Sequence, residues 1–202
     1  MQKQSLQKYI DGLPLRQGMS ECLTSATPSV MSAITRHGKI RLSEKIKRSV
    51  ACQMLYYLYL KNGRAPDIPY ICGVFGVDYA ELKKIMNETT SSMVAAGLEC
   101  ELSYSRELVQ RTIELCAAYL HVDQSQFTTI NSYWDMLEAL DADIYTSTSK
   151  SIASSPMYPM IGALVYYVDG YKHMSRNDAA YVLRISYSTM CVYIRMIEQL
   201  IL

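Results

Sequence analysis

The sequence predicts an all-α protein built from two similar helical bundles. Apolar residues recur at the three- and four-residue spacing of a buried helix face, between segments that carry helix-capping residues. An order of long, short and long helix appears twice, once in each half. The two copies stand about 108 to 110 residues apart, with Tyr56-Tyr57 answering Tyr166-Tyr167 and Val77-Asp78 answering Ile185-Ser186. Such self-similarity marks an internal duplication. The expected division is residues 1–97 and 98–202, with 1–27 a poorly readable lead-in.

In that lead-in, Leu6, Tyr9 and Ile10 form one apolar turn, and Gly12, Pro14 and Gly18 interrupt it. Pro28 is expected in the first turn of a helix carrying Val30, Met31 and Ile34, because proline suits a position whose N–H has no partner. His37-Gly38 closes it. Ser43 with Glu44 opens a long helix whose second half, Val50 to Leu60, is apolar on nearly every side and therefore central. Lys61-Asn62-Gly63 stops it, and Pro66-Asp67 starts a short helix through Ile71 and Cys72. Asp78 with Glu81 three residues later resembles a capping box, opening a helix with Leu82, Ile85, Met86 and Met93 on one face.

The second half begins with two helical patterns, Leu108 to Tyr119 and Trp134 to Ile144. Polar segments Val122 to Thr129 and Thr146 to Ser154 read as loops. Ser155-Pro156 opens an apolar helix through Met160 and Val168, ended by Asp169-Gly170. Ser175 caps a short helix to Leu183, and Ser186 caps the last one. There Met190, Ile194, Ile197 and Ile201 face inward, leaving Tyr187, Ser188, Cys191, Val192 and Arg195 on the opposite face. The closing pair is the pattern of a helix-turn-helix, whose second helix presents its outer face to a DNA groove.

Of 202 residues, 50% are hydrophobic and the formal charge is +1, but the charge is uneven. Residues 28–97 hold ten Lys/Arg against five Asp/Glu, and residues 98–150 three against nine. A basic first half suits a polyanionic partner. The six cysteines stand singly without a CxxC, and the three histidines are isolated, so reduced thiols and no metal site are expected. No signal-peptide core or apolar run of membrane length appears, so an intracellular protein without membrane attachment is expected. No nucleophile-base pair or phosphate-cradling glycine loop emerges; no enzyme, catalytic residue or cofactor is expected.

The order of elements and several local strings resemble the core of the transcription factor IIB family, two tandem cyclin-like five-helix bundles. The resemblance covers residues 28–202. Ala51 to Gly63 with Tyr56 is similar to the family's apolar third helix, and Ile71-Cys72 and Glu81-Leu82 sit where its fourth and fifth helices carry like residues. Ser155-Pro156 matches a Ser-Pro opening the third helix of the second repeat, and Thr189-Met190 with Arg195 fits the final helix. Where family members carry a base-reading valine and arginine, this chain has Ser188 and Cys191. The family's zinc ribbon has no counterpart in the cysteine spacings, so the chain is expected to be the core of a longer factor, a divergent one of the kind found in large cytoplasmic DNA viruses.

The resemblance implies an initiation factor that binds promoter DNA together with TATA-binding protein and helps recruit RNA polymerase, in the nucleus or a cytoplasmic virus factory. Phosphate contacts are expected from Lys39, Arg41, Lys45, Lys47, Arg48, Lys61, Arg64, Lys83 and Lys84 in the first repeat and from Lys172, Arg176 and Arg184 in the second. Tyr187, Ser188, Thr189, Cys191, Val192 and Arg195 are the candidates on the last helix. The alternative is a cyclin-like subunit that activates a kinase.

Overall fold

The computed structural model describes residues 2–36, 43–85, 105–140 and 157–201, and among these the chain is helical without a strand. Contacts divide it into two compact units, residues 1–77 with 81–102, and residues 78–80 with 103–202. The boundary expected near Gly97, the His37-Gly38 stop, Met86, Met93, Ile144, the Thr146–Ser154 loop and the Ser155-Pro156 start lie outside the described residues.

The first unit is organised on α3 (Glu44–Lys61), which packs against α1 (Gln2–Asp11), α2 (Met19–Arg36) and α4 (Ile68–Phe75). Ser43 caps α3 as its sequence suggests, accepting from the Ile46 amide at 3.4 Å. Ser49 to Tyr57 are buried without interruption, because neighbours surround that stretch on all sides. Gly63, with a φ of 63°, supplies the left-handed turn that ends α3. Asp67 then caps α4, one carboxylate oxygen accepting from the Tyr70 amide at 3.1 Å. A further helix, α5, is described over residues 79–85 and buries Leu82 and Ile85.

The lead-in is a built part of the unit: Leu6, Ile10 and Leu23 are fully buried, and Gln7 of α1 donates to the Thr24 hydroxyl of α2 at 2.8 Å. Arg16, between the two helices, bonds Asp67 at 3.0 Å and lies 4.0 Å over the Tyr70 ring. One first-half expectation fails, that of a helix start at Pro28, which lies well inside α2 with Leu23 and Val30 buried on either side of it. Burial of that apolar face against α1 outweighs the one backbone hydrogen bond that proline forfeits.

The second unit is organised on α8 (Met157–Val168), buried from Met157 to Tyr166 and packed against α6 (Arg106–Leu120), α7 (Phe127–Leu140) and α10 (Tyr187–Ile201). Ser105 caps α6 at 3.2 Å. The loop expected from Val122 to Thr129 is mostly helical. Asp123 accepts from the Ser125 amide at 2.8 Å, a 3₁₀ turn follows over Gln124–Gln126, and α7 starts at Phe127. Polar composition concealed this because Thr128 and Thr129 lie on the solvent side while Ile130, Trp134 and Leu137 supply the buried face.

α9 (Arg176–Val182) closes over α8 at one close approach. A Cβ on Gly162 would lie 2.9 Å from the Leu183 side chain, so the glycine lets fully buried Leu183 settle on α8. The Tyr158 hydroxyl donates to the Leu183 carbonyl at 2.9 Å and holds the end of α9 there.

Helix starts repeat along the chain. α4 and α5 begin at residues 68 and 79, α9 and α10 at 176 and 187, so one offset of 108 residues relates both pairs. The intervening turns share their hydrogen bonds too. Val77 donates to the Cys72 carbonyl and Ile185 to that of Ala180, each at 3.0 Å, while Gly76 and Arg184 take the left-handed conformation at φ values of 62° and 58°.

Candidate nucleic-acid interface

Local chemistry positions the α9–turn–α10 element. The Ser175 hydroxyl accepts from the Asp178 amide at 3.2 Å and starts α9; the Ser186 hydroxyl accepts from the Thr189 amide at 3.1 Å and starts α10. Between them Arg184 holds a conformation that glycine takes in the first unit, and its guanidinium lies 5.1 Å from the Tyr181 ring centre. On α10, Met190, Ile194 and Ile197 are buried, as their spacing requires, and the Ile201 side chain lies outside the described residues.

The outward face of α10 is open. Val192 is 60% exposed and Tyr187 51%, Ser188 and Arg195 are exposed, and Thr189 and Cys191 are half-buried. Ser186 also bonds the hydroxyls of Ser188 and Thr189 at 2.9 and 2.7 Å, a hydroxyl cluster at the helix start. Arg176 reaches from α9 to α10, with Nη1 3.7 Å from the Cys191 sulfur. Burial raises the Cys191 thiol, but hydrogen bonds from Arg176 and Tyr187 and the charges of Arg176 and Arg195 outweigh it and leave the pKa below the ordinary thiol value. Tyr181, which the sequence reading did not single out, is 70% exposed beside Arg184.

Lys172 belongs to the turn that leads into α9. Its amine lies 2.6 Å from Asp169, which His173 also approaches at 3.1 Å. Asp169 is buried, and hydrogen bonds first from Lys172 and then from His173 hold its pKa below the ordinary carboxylate value. A depressed folded-state pKa contributes stability above the unfolded value of 3.8, lost as pH falls through the folded pKa. Asp169→Asn is therefore expected to destabilise the unit by about 1–2 kcal/mol at neutral pH. Urea unfolding followed by circular dichroism should show the difference shrinking as pH drops below 3.8.

The cations of the first unit are less available than their number suggests. Lys47 sits 2.5 Å from Glu44; Arg48 donates to the Phe75 carbonyl at 2.9 Å and lies 3.4 Å from Glu81. Lys45, Lys61, Arg64 and Lys84 are exposed, and Lys83 is half-buried. A groove of about 500 Å³ is lined by Lys45, Arg48 and Lys84 but also by Glu44 and Glu81, so its charge is mixed. Lys39 and Arg41 lie outside the described residues.

A second cavity, about 520 Å³, opens in the second unit beside α10, lined by Tyr133, Tyr166, Tyr167, Tyr171, Arg176 and Glu198 among others. Among the described residues no group of three or more His, Cys, Asp or Glu side chains is placed to hold a metal ion, and no helix is long and apolar enough to cross a membrane.

Comparison with known proteins returned no match, whether to a family model, a curated protein or a solved structure.

Proposed function

We propose that the chain is the DNA-binding core of a transcription initiation factor of the IIB type, two tandem cyclin-like five-helix repeats that bind promoter duplex together with TATA-binding protein and help recruit RNA polymerase. The observation that carries this reading is the α9–turn–α10 element. Two serine-capped helices are joined by a tight turn, the inner face of the second is buried, and its outer face is open and flanked by Arg184 and Arg195. The turn that recurs at a 108-residue offset supports the tandem repeat.

As an adaptor, the chain performs no chemistry. Arg184 and Arg195 neutralise phosphates, which sets register without reading sequence. Ser188 and Val192 approach base edges, one by hydrogen bonding and one by contact with a thymine methyl. Without an arginine in the first turn of α10, base discrimination is weak, toward the low end of the roughly 1–3 kcal/mol that a good bidentate contact supplies.

The test is a gel-shift series on a TATA-containing duplex, with and without TATA-binding protein, at several salt concentrations. The expected result is a ternary complex whose affinity falls with salt. Arg184→Ala and Arg195→Ala should weaken binding to all duplexes alike, each lowering the salt slope by about 0.9. An unchanged slope in both variants removes these arginines from the interface, and failure to shift duplex under any condition rejects the reading.

A further inference from the structure

The cavity beside α10 is chemically distinct from the groove-facing surface that it adjoins. Four tyrosines from α7, α8 and the following turn wall it, and Glu198 of α10 and Gln126 bring hydrogen-bonding groups to its lining. Arg176 also lines it, and the same guanidinium reaches Cys191 on the outward face of α10. Tyr187 lies exposed on that same face of α10. Arg176 thus joins the outward face of α10, through Cys191, to a tyrosine-lined space.

We infer that this cavity receives an unpaired nucleotide of a single nucleic-acid strand. Every base offers a π-face for tyrosine stacking whatever its sequence, and stacking platforms beside a cation are how unpaired strands are held. The volume of about 520 Å³ admits one base with its sugar. Arg176 at the junction takes the phosphate, and the Glu198 carboxylate accepts from an exocyclic amine or ring N–H on the base edge. A fully paired duplex cannot fill the space, because its bases are stacked on one another. The inference rests on reading this unit as a nucleic-acid binder, and it adds that the unit engages DNA opened into single strands as well as duplex.

The experiment uses the full chain and three probes: a short single strand carrying one 2-aminopurine, the same sequence as duplex, and a mononucleotide. Two variants alter the cavity at exposed positions, Tyr171→Ala removing a wall and Thr129→Trp filling the space. Both should keep the helical circular dichroism of the parent and its duplex affinity. Each should weaken single-strand binding about tenfold or more and relieve the quenching of 2-aminopurine that stacking causes; Tyr171→Phe should restore both. Unchanged single-strand affinity and quenching in the two folded variants would overturn the inference while leaving duplex binding intact. Loss of duplex binding in the parent, with single-strand binding still sensitive to the variants, would reject the promoter-duplex reading and keep this one. A mononucleotide that competes as well as the strand would assign the cavity to a free nucleotide and overturn the strand.

Discussion

Glutamates at both Ser188 and Val192 are expected to abolish duplex binding while the protein stays folded. Both positions are exposed on the outer face of α10, so neither change removes a core contact. Glutamate forms helix better than serine or valine, and at position 188 it lies in the first helical turn, where the backbone dipole favours an anion. Stability should therefore hold or rise slightly. Binding should move the other way. On that reading each substitution deletes a groove contact worth about 1 kcal/mol, the low end of the range, and places a carboxylate against the phosphate wall, so the combined loss is on the order of a hundredfold. Gel shift for affinity and thermal unfolding for stability measure the two effects separately. A folded double variant with parental duplex affinity would take α10 out of the interface.

Ile194→Asp acts through the opposite face and should unfold the second unit. Ile194 is 2% exposed, on the helix that packs against α7, α8 and α9. Removing a buried isoleucine costs about 2–5 kcal/mol, and a carboxylate left in its place loses hydration as well. Together these approach the roughly 5–15 kcal/mol that stabilises a domain of ordinary size. Circular dichroism should show a large loss of helix and of the cooperative transition, whereas Ile194→Leu, which conserves volume, should cost less than about 1.5 kcal/mol. A cooperative transition at the parental temperature in the Asp variant would show that α10 is not part of that core. The contrast between positions 192 and 194, two residues apart on one helix, separates a surface role from a packing role.

The helix starts were legible because caps are local. A hydroxyl or carboxylate bonds an amide three residues away, and Ser43, Asp67, Ser175 and Ser186 each do so. The two faces of α10 were legible for a similar reason, since a spacing of three and four puts Met190, Ile194 and Ile197 on one side whatever surrounds the helix. The bearing of this face on DNA is a proposal built on that geometry.

Other features depend on partners far along the chain. Leu6 and Ile10 show only a short apolar turn in sequence, yet α2 and α3 beside them bury both completely. Arg48 reads as one more cation in a basic run until Phe75 and Glu81, 27 and 33 residues on, claim its guanidinium. Tyr133, Tyr166, Tyr167 and Tyr171 are scattered over separate elements, and only the packing of α7 and α10 on α8 gathers them around one cavity. The sequence by itself determined the helix starts capped by Ser43, Asp67, Ser175 and Ser186 and the two faces of α10, because those properties follow from hydrogen bonds and spacing within one turn, whereas the starts of α2 and α7 carried no such local signal. Tertiary structure alone decided which charges remain free and which aromatic rings meet, because each depends on a neighbour brought close only when the helices pack.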